Sequence, residues 1–348
     1  MMSDRFDSLL GQGLAILFAL GLGALVILTV DESPMKVLVT LLNGAFGSPE
    51  RIAGTLLQTT PILICGIAAC ISFRGGLFNI GIEGQLFMGG FWATWVGFSF
   101  NLPPILHMLL AMSAAVIAGM AWIAIPAFFR ARYKTNEVVS TILANYVAVL
   151  ITSYLTINIF KRSGGQSETP PIFESAYLPE LFSFSRLNWG LIIGLALAIG
   201  VYLFFTRTSR GYAVTEMGAN PKFAEYGGID IRKQVFLVLI ASGAVGGLAG
   251  GVEALGVHHR FMEGFAPGFG FDGVIAALLA NGNPIGTIFT ALFFGALRSG
   301  SLLLEVDTTA SREIITVIQA LIILAVSAQI TIRRKASDST AGERRWKF

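Results

Sequence analysis

Long apolar runs dominate this chain, most of them close to the roughly 20 residues that a helix needs to cross a bilayer's hydrocarbon core. Candidate spans fall at 13–30, 52–73, 77–98, 105–129, 138–160, 189–206, 235–257, 271–281, 284–304 and 313–332. Lipid offers backbone amides no hydrogen bonds, so a chain built of such runs must satisfy them within helices. The expected fold class is an all-α integral membrane protein with about ten transmembrane segments. Segment 271–281 is too short to cross alone, and Asn283-Pro284 breaks it from the next, so 271–304 is the least regular part of the scheme. The run 13–30 continues into Asp31-Glu32-Ser33-Pro34 with no small-residue cleavage site, and it reads as a retained membrane helix, not a secretory signal.

Composition narrows the function classes. Charged residues make up 13% of the 348, about half the share in soluble domains. A net charge of +3, spread over several loops, does not describe a nucleic-acid binder. The 40 glycines suit lipid, where small residues let helix backbones approach closely. Cys65 and Cys70 lie within one apolar run and read as small core residues. The three histidines, His107, His258 and His259, are too few and too scattered for a metal cage. With no Gly-Lys dipeptide there is no phosphate-cradling loop, and neither a zinc-protease nor a serine-hydrolase motif occurs. No catalytic residue and no cofactor is expected in this chain.

Lysine and arginine set the orientation. Arg130, Arg132 and Lys134 share one loop, Arg207, Arg210, Lys222, Arg232 and Lys233 another, and Arg333 to Lys347 the tail. Across ten crossings these clusters fall on one face, which is the cytoplasm, with both termini there. Loops 31–51, 161–188 and 258–270 are then external.

Three segments carry most of the information. Gly243, Gly247 and Gly251, with Ser242, Gly246 and Gly250 beside them, form a small-residue ladder suited to close helix packing, within one subunit or between two. In the loop 207–234, Asn220 before Pro221 and Gly227-Gly228 after Tyr226 punctuate a short helix outside the membrane. That helix is either a plain surface element or a plug that docks into another protein. Gly75 to Gly90 places Asn79 and Glu83 four residues apart, hence on one helical face, in an otherwise apolar stretch. An ionisable group in a span is a functional candidate by default; the alternative is a structural carboxylate satisfied by neighbouring groups. A second glycine-rich stretch, Pro267 to Gly273, sits in the corresponding place five crossings on. Such an offset makes two related, inverted halves with broken helices, a recurring transporter design.

Taken in order, several of these runs resemble signatures of bacterial ABC-importer permeases for nucleosides, simple sugars and branched-chain amino acids. They are Phe73 to Gln85, Thr135 to Ile142 with Asn145-Tyr146, Gly211-Tyr212, Gly218 to Lys222, Tyr226 to Ile229, Pro267 to Gly273, and Asn283-Pro284. Asn79-Ile80-Gly81-Ile82-Glu83-Gly84-Gln85 looks most like the nucleoside branch. Leu279 to Asn283 departs from the pattern, which has a glycine after the leucines and often an arginine. The resemblance implies a type II importer fold with an N-terminal helix and external loop (1–50), a permease core (51–335) and a cytoplasmic tail (336–348). It implies cytoplasmic ATPase subunits, a second permease of different sequence, and an external substrate-binding protein, with the chain itself no enzyme. Asn79, Glu83, Gln85, Phe271 and Asp272 are then candidates for the translocation path. Gly218, Asn220, Pro221, Phe223, Ala224 and Tyr226 are candidates for ATPase coupling. A stand-alone channel or carrier is the competing class, and it would more often show several paired charges in its spans.

Overall fold

The computed structural model describes residues 33–162, 167–307 and 317. The helices in chain order are α1 (Pro34–Phe46), α2 (Pro49–Arg74), α3 (Ile82–Ser99), α4 (Pro104–Tyr133), α5 (Glu137–Tyr154) and α6 (Gly190–Arg207). There follow α7 (Ser209–Ala219), α8 (Pro221–Tyr226), α9 (Ile231–Glu253), α10 (Phe269–Leu279) and α11 (Pro284–Asp307). A π-helical turn extends α5 to Ile159 and another extends α9 to His258.

Among the described residues, six helices are long and apolar enough to cross a membrane: α2, α4, α5 and α9 with their extensions, α6 and α11. This corrects the expectation of about ten. Span 77–98 falls short because Leu77 to Gly81 is not helical and the 18-residue α3 that remains carries Glu83 and Gln85. Segment 271–281 lies largely in an 11-residue helix, Phe269–Leu279. The stretch 31–51, read as an external loop, contains α1. The spans placed at 13–30 and 313–332, both termini and the tail 336–348 lie outside the described residues.

The chain divides into two compact units, one of residues 33–51 with 297–307, the other Ile52–Ala296. In the first, α1 meets the end of α11 through glycine: a methyl on Gly44 would lie 2.9 Å from Leu303 Cβ, and one on Gly300 2.5 Å from the Leu41 carbonyl oxygen.

The second unit is organised around α9, which packs against α3 and α4. Its glycine ladder is used on two sides. Gly243, Gly247 and Gly251 face α4, where Gly119, Ala115 and Met112 meet them. Gly246 and Gly250 face α3, where Gln85, Leu86 and Gly90 meet them. Gly247 lies so close to the Ala115 carbonyl, and Gly250 to that of Leu86, that any side chain would overlap them. The ladder is therefore packing within one subunit. Helix α2 is the most buried of the six spans, touching α10 through Gly66 and Gly273 and α11 through Thr59 and Gly295. Cys65 and Cys70 are fully buried on it and form no disulfide, as their apolar setting implies.

At one end of this unit, residues 167–178 fold back over the end of α9. Thr169 N donates to Phe261 O (2.9 Å), Ile172 N to His259 O (2.9 Å) and Leu178 N to Leu255 O (2.9 Å). Glu168 pairs with both Arg260 (2.9 Å) and Arg162 (3.5 Å). His259 stacks on Tyr177 with ring centroids 3.8 Å apart, and burial holds its imidazole below the ordinary histidine pKa. A neutral ring suits that place, because its Nδ1 is buried with no hydrogen-bond partner among the described residues.

Candidate translocation site and docking loop

Between α2 and α3 the chain leaves the helix for seven residues, Gly75 to Gly81. Gly76, at φ +70°, makes the turn that an L side chain rarely adopts. Backbone amides freed in such a break must find partners away from lipid, and here side chains supply them. Asn145 does so twice, accepting from Gly84 N (2.8 Å) and donating to Ile80 O (2.8 Å). Ile80 N donates to Thr141 Oγ1 (3.3 Å), and Phe78 N donates to Glu137 Oε1 (3.5 Å). Glu137 in turn pairs with Arg130 (3.1 Å).

Asn79 precedes α3, so the shared helical face expected for Asn79 and Glu83 does not form. Asn79 instead turns inward, fully buried, and forms a two-way pair with Gln85: Asn79 Nδ2 to Gln85 Oε1 at 3.2 Å, Gln85 Nε2 to Asn79 Oδ1 at 3.1 Å. Its Oδ1 also accepts from Gly81 N (3.0 Å), and its Nδ2 donates to Ser242 Oγ (2.8 Å). Ser242 passes the chain on to Ala68 O (2.7 Å). This network ties α2, the break, α3 and α9 at one point.

Glu83 points elsewhere. Its Oε1 accepts from Gly268 N (2.6 Å) and its Oε2 from Gly270 N (2.7 Å). Gly268 is the N-cap of α10, with φ +82°, after the second non-helical stretch. A buried carboxylate thus sits on a helix N-terminus, where unpaired amides and the helix dipole favour negative charge. Gly270 has to be glycine here, since a methyl would lie 2.6 Å from Glu83 Cα. Asp272, in the first turn of α10, is buried as well, whereas Phe271 is 41% exposed. Glu83 therefore joins the two breaks.

The loop 207–234 holds α8 within its expected bounds, Pro221 to Tyr226, with Asn220 Oδ1 accepting from Phe223 N (3.1 Å). Gly228, at φ +83°, follows its end. A second helix, α7, precedes it; its cap, Thr208 Oγ1 accepting from Gly211 N (3.0 Å), passed unnoticed in the sequence. Phe223 and Tyr226 are 61% and 92% exposed, while Ala224 is buried against the bundle. Gly218 packs so closely on the Arg74 carbonyl that no side chain would fit, which sets the α7–α8 junction on the end of α2.

Sequence reasoning missed Glu253. It lies within the span 235–257, is buried, and pairs with His258 Nε2 at 3.4 Å where α9 turns π-helical. The criterion that picked out Glu83, a carboxylate inside an apolar run, applies to it equally.

Residues 51–327 match the family described as branched-chain amino acid transport system / permease component. The chain belongs to this family of ABC-importer permeases. One relative is the guanosine ABC transporter permease protein NupP of Bacillus subtilis (strain 168), 35% identical over 95% of this chain and 97% of its own. The glucose ABC transporter permease protein TsgB13 of Haloferax volcanii is 30% identical over 96% and 94%. The nucleoside ABC transporter permease protein NupB of Lactococcus lactis is 30% identical over 95% and 94%. The permease is thus a multi-pass helical membrane protein and the transport subunit of its importer, not an enzyme.

Proposed function

We propose that this permease moves a nucleoside across the membrane, working with two ATPase subunits, a second permease and an external binding protein. The observation that carries the substrate is the alignment, over nearly the whole of both chains, with a guanosine and a nucleoside permease. The glucose permease aligned over the same extent favours a second reading, a sugar. A polyhydroxylated sugar ring is common ground between them. Uptake of labelled guanosine and of labelled glucose by proteoliposomes holding the assembled importer separates the two. Guanosine uptake that unlabelled glucose does not suppress is the expected result; the reverse pattern makes the substrate a sugar.

Helix α8 is the docking element for the ATPase, with Phe223 and Tyr226 as its apolar anchors and Ala224 as the residue that holds it to the bundle. Its exposure and its seat on the end of α2 support this, and so does the concentration of lysine and arginine in its loop, which puts it on the cytoplasmic side. For Glu83 we favour the role of clasp between the two breaks, since both of its oxygens are engaged by α10 amides. Asn79 and Gln85 likewise hold the break together, leaving Phe271 as the exposed member of the path candidates.

A further inference from the structure

At the end of α6 the structure leaves a groove of about 510 Å³, within the roughly 300–1,000 Å³ of small-molecule sites. Helix α6 lines it with Phe204 and Phe205, α9 with Leu237, Val238 and Ala241, and α2 with Ile71. Among the described residues α6 is the least buried of the six spans, so most of its surface is left for lipid.

Polarity changes along the groove in one direction. On α9, Lys233 and Gln234 line it from the first turn, and Leu237, Val238 and Ala241 line it one to two turns further in. Gln234, Val238 and Ala241 stand four and three residues apart, hence on one face. Ala241 is ten residues past the start of α9, about 15 Å into the span, or half of a hydrocarbon core of about 30 Å. A second cation, Arg210, lines the groove from the first turn of α7. The next residue, Gly211, lies so close to the Phe204 carbonyl that no side chain would fit, which fixes Arg210 beside the end of α6. Among the described residues neither Arg210 nor Lys233 has an ion-pair partner.

The occupant must therefore be apolar along most of its length and anionic at one end, with that end at the membrane surface. A soluble anion would leave the apolar walls unfilled. A soluble subunit does not reach walls set this deep in a span. A protein helix would have to carry a carboxylate to the mouth and desolvate it there, whereas a phospholipid brings its phosphate to that level already. We propose that the groove holds an anionic phospholipid, its phosphate between Arg210 and Lys233 and one acyl chain along Phe204, Phe205 and the apolar stripe of α9. It is a structural lipid that fixes α7 to the ends of α6 and α9, and it does not depend on which substrate is carried.

The test uses the assembled importer, purified in detergent and stripped of native lipid. The probe is phosphatidylglycerol, compared with phosphatidylcholine of the same chains, and binding is read by native mass spectrometry. The wild type should retain phosphatidylglycerol in preference, and Arg210→Gln/Lys233→Gln should weaken that retention by about tenfold or more. Ala241→Phe fills the groove from an exposed position and touches neither cation, and it should weaken retention as well. Arg132→Gln/Lys134→Gln, which removes the same charge from another loop, should behave as the wild type. Phosphatidylglycerol carrying a diazirine in its acyl chain should label residues 201–208 and 231–241 on irradiation; this arm needs no substitution and decides even where a variant fails to assemble. Equal retention of the two lipids overturns the proposal, as does unchanged retention in Arg210→Gln/Lys233→Gln or an equal loss in Arg132→Gln/Lys134→Gln. A photolabel confined to other segments overturns it too, because protein then fills the groove. Displacement of the lipid by glycerol phosphate at equal concentration would make this a site for a soluble anion and overturn the lipid.

Discussion

Replacing Glu83 by alanine removes both acceptors from the N-terminus of α10 at once. The two amide–carboxylate bonds are short, 2.6 and 2.7 Å, and each involves a charge. Bonds of that kind contribute about 1.5–3 kcal/mol net, so together about 3–6 kcal/mol. The interaction with the helix dipole adds about 0.3–1 kcal/mol. Alanine leaves two buried amides without partners, at about 1–3 kcal/mol each, but also removes a carboxylate whose own desolvation is unfavourable. The expected net loss is about 2–5 kcal/mol. Glutamine keeps one carbonyl oxygen for one amide and turns an NH2 group toward the other, for a loss of about 1–3 kcal/mol. Thermal inactivation of the detergent-solubilised complex, followed by size-exclusion chromatography, should rank wild type above Glu83→Gln above Glu83→Ala. Any Glu83→Ala complex that survives should still transport. A Glu83→Ala complex as heat-resistant as the wild type would refute the clasp, and a fully stable Glu83→Gln complex that no longer transports would return Glu83 to the path.

Other expectations follow from single contacts. Phe223→Asp or Tyr226→Asp should leave the permease inserted in the membrane but weaken its association with the ATPase, measured by co-purification, because a charge enters an apolar contact; normal co-purification of both would make α8 a plain surface helix. Gly250→Ala drives a methyl into the Leu86 carbonyl and should cost about 1–3 kcal/mol or more, read as lower yield and earlier heat inactivation. Gly200→Ala, where the added methyl meets nothing within 4 Å, should instead stabilise α6 by up to about 1 kcal/mol by the same assay. In intact spheroplasts an impermeant thiol reagent should label Phe182→Cys, in the loop 161–188, and not Tyr226→Cys; the opposite pattern inverts the topology.

Local chemistry was legible in the sequence, and long-range pairing was not. Asn220, Pro221 and the two glycines after Tyr226 carry the whole of α8 between them, because a cap needs only its own turn. The ladder of Gly243, Gly247 and Gly251 announced close packing, but nothing along the chain says that α4 takes one side and α3 the other. Glu83 stood out as a carboxylate in an apolar run, while its partners lie 185 and 187 residues further on. The span count failed where hydropathy is blind to a break: Leu77 to Gly81 is apolar enough to read as membrane, yet it never enters the helix, and side chains from α5 take up the amides of Phe78 and Ile80. Asn79 was misplaced for the same reason, since a helical spacing means nothing one turn before the helix begins.

The seat of the α7–α8 junction on α2 has a mechanical consequence. Side chains between two helices act as springs, changing rotamer and taking up small displacements before anything is passed on. At Gly218 there is no side chain, only backbone resting on the Arg74 carbonyl, one residue before the Gly75–Gly81 break begins. A push on α8 therefore reaches the break with almost no lost motion. The backbone contact at Gly218 thus ends where the chain between α2 and α3 leaves the helix.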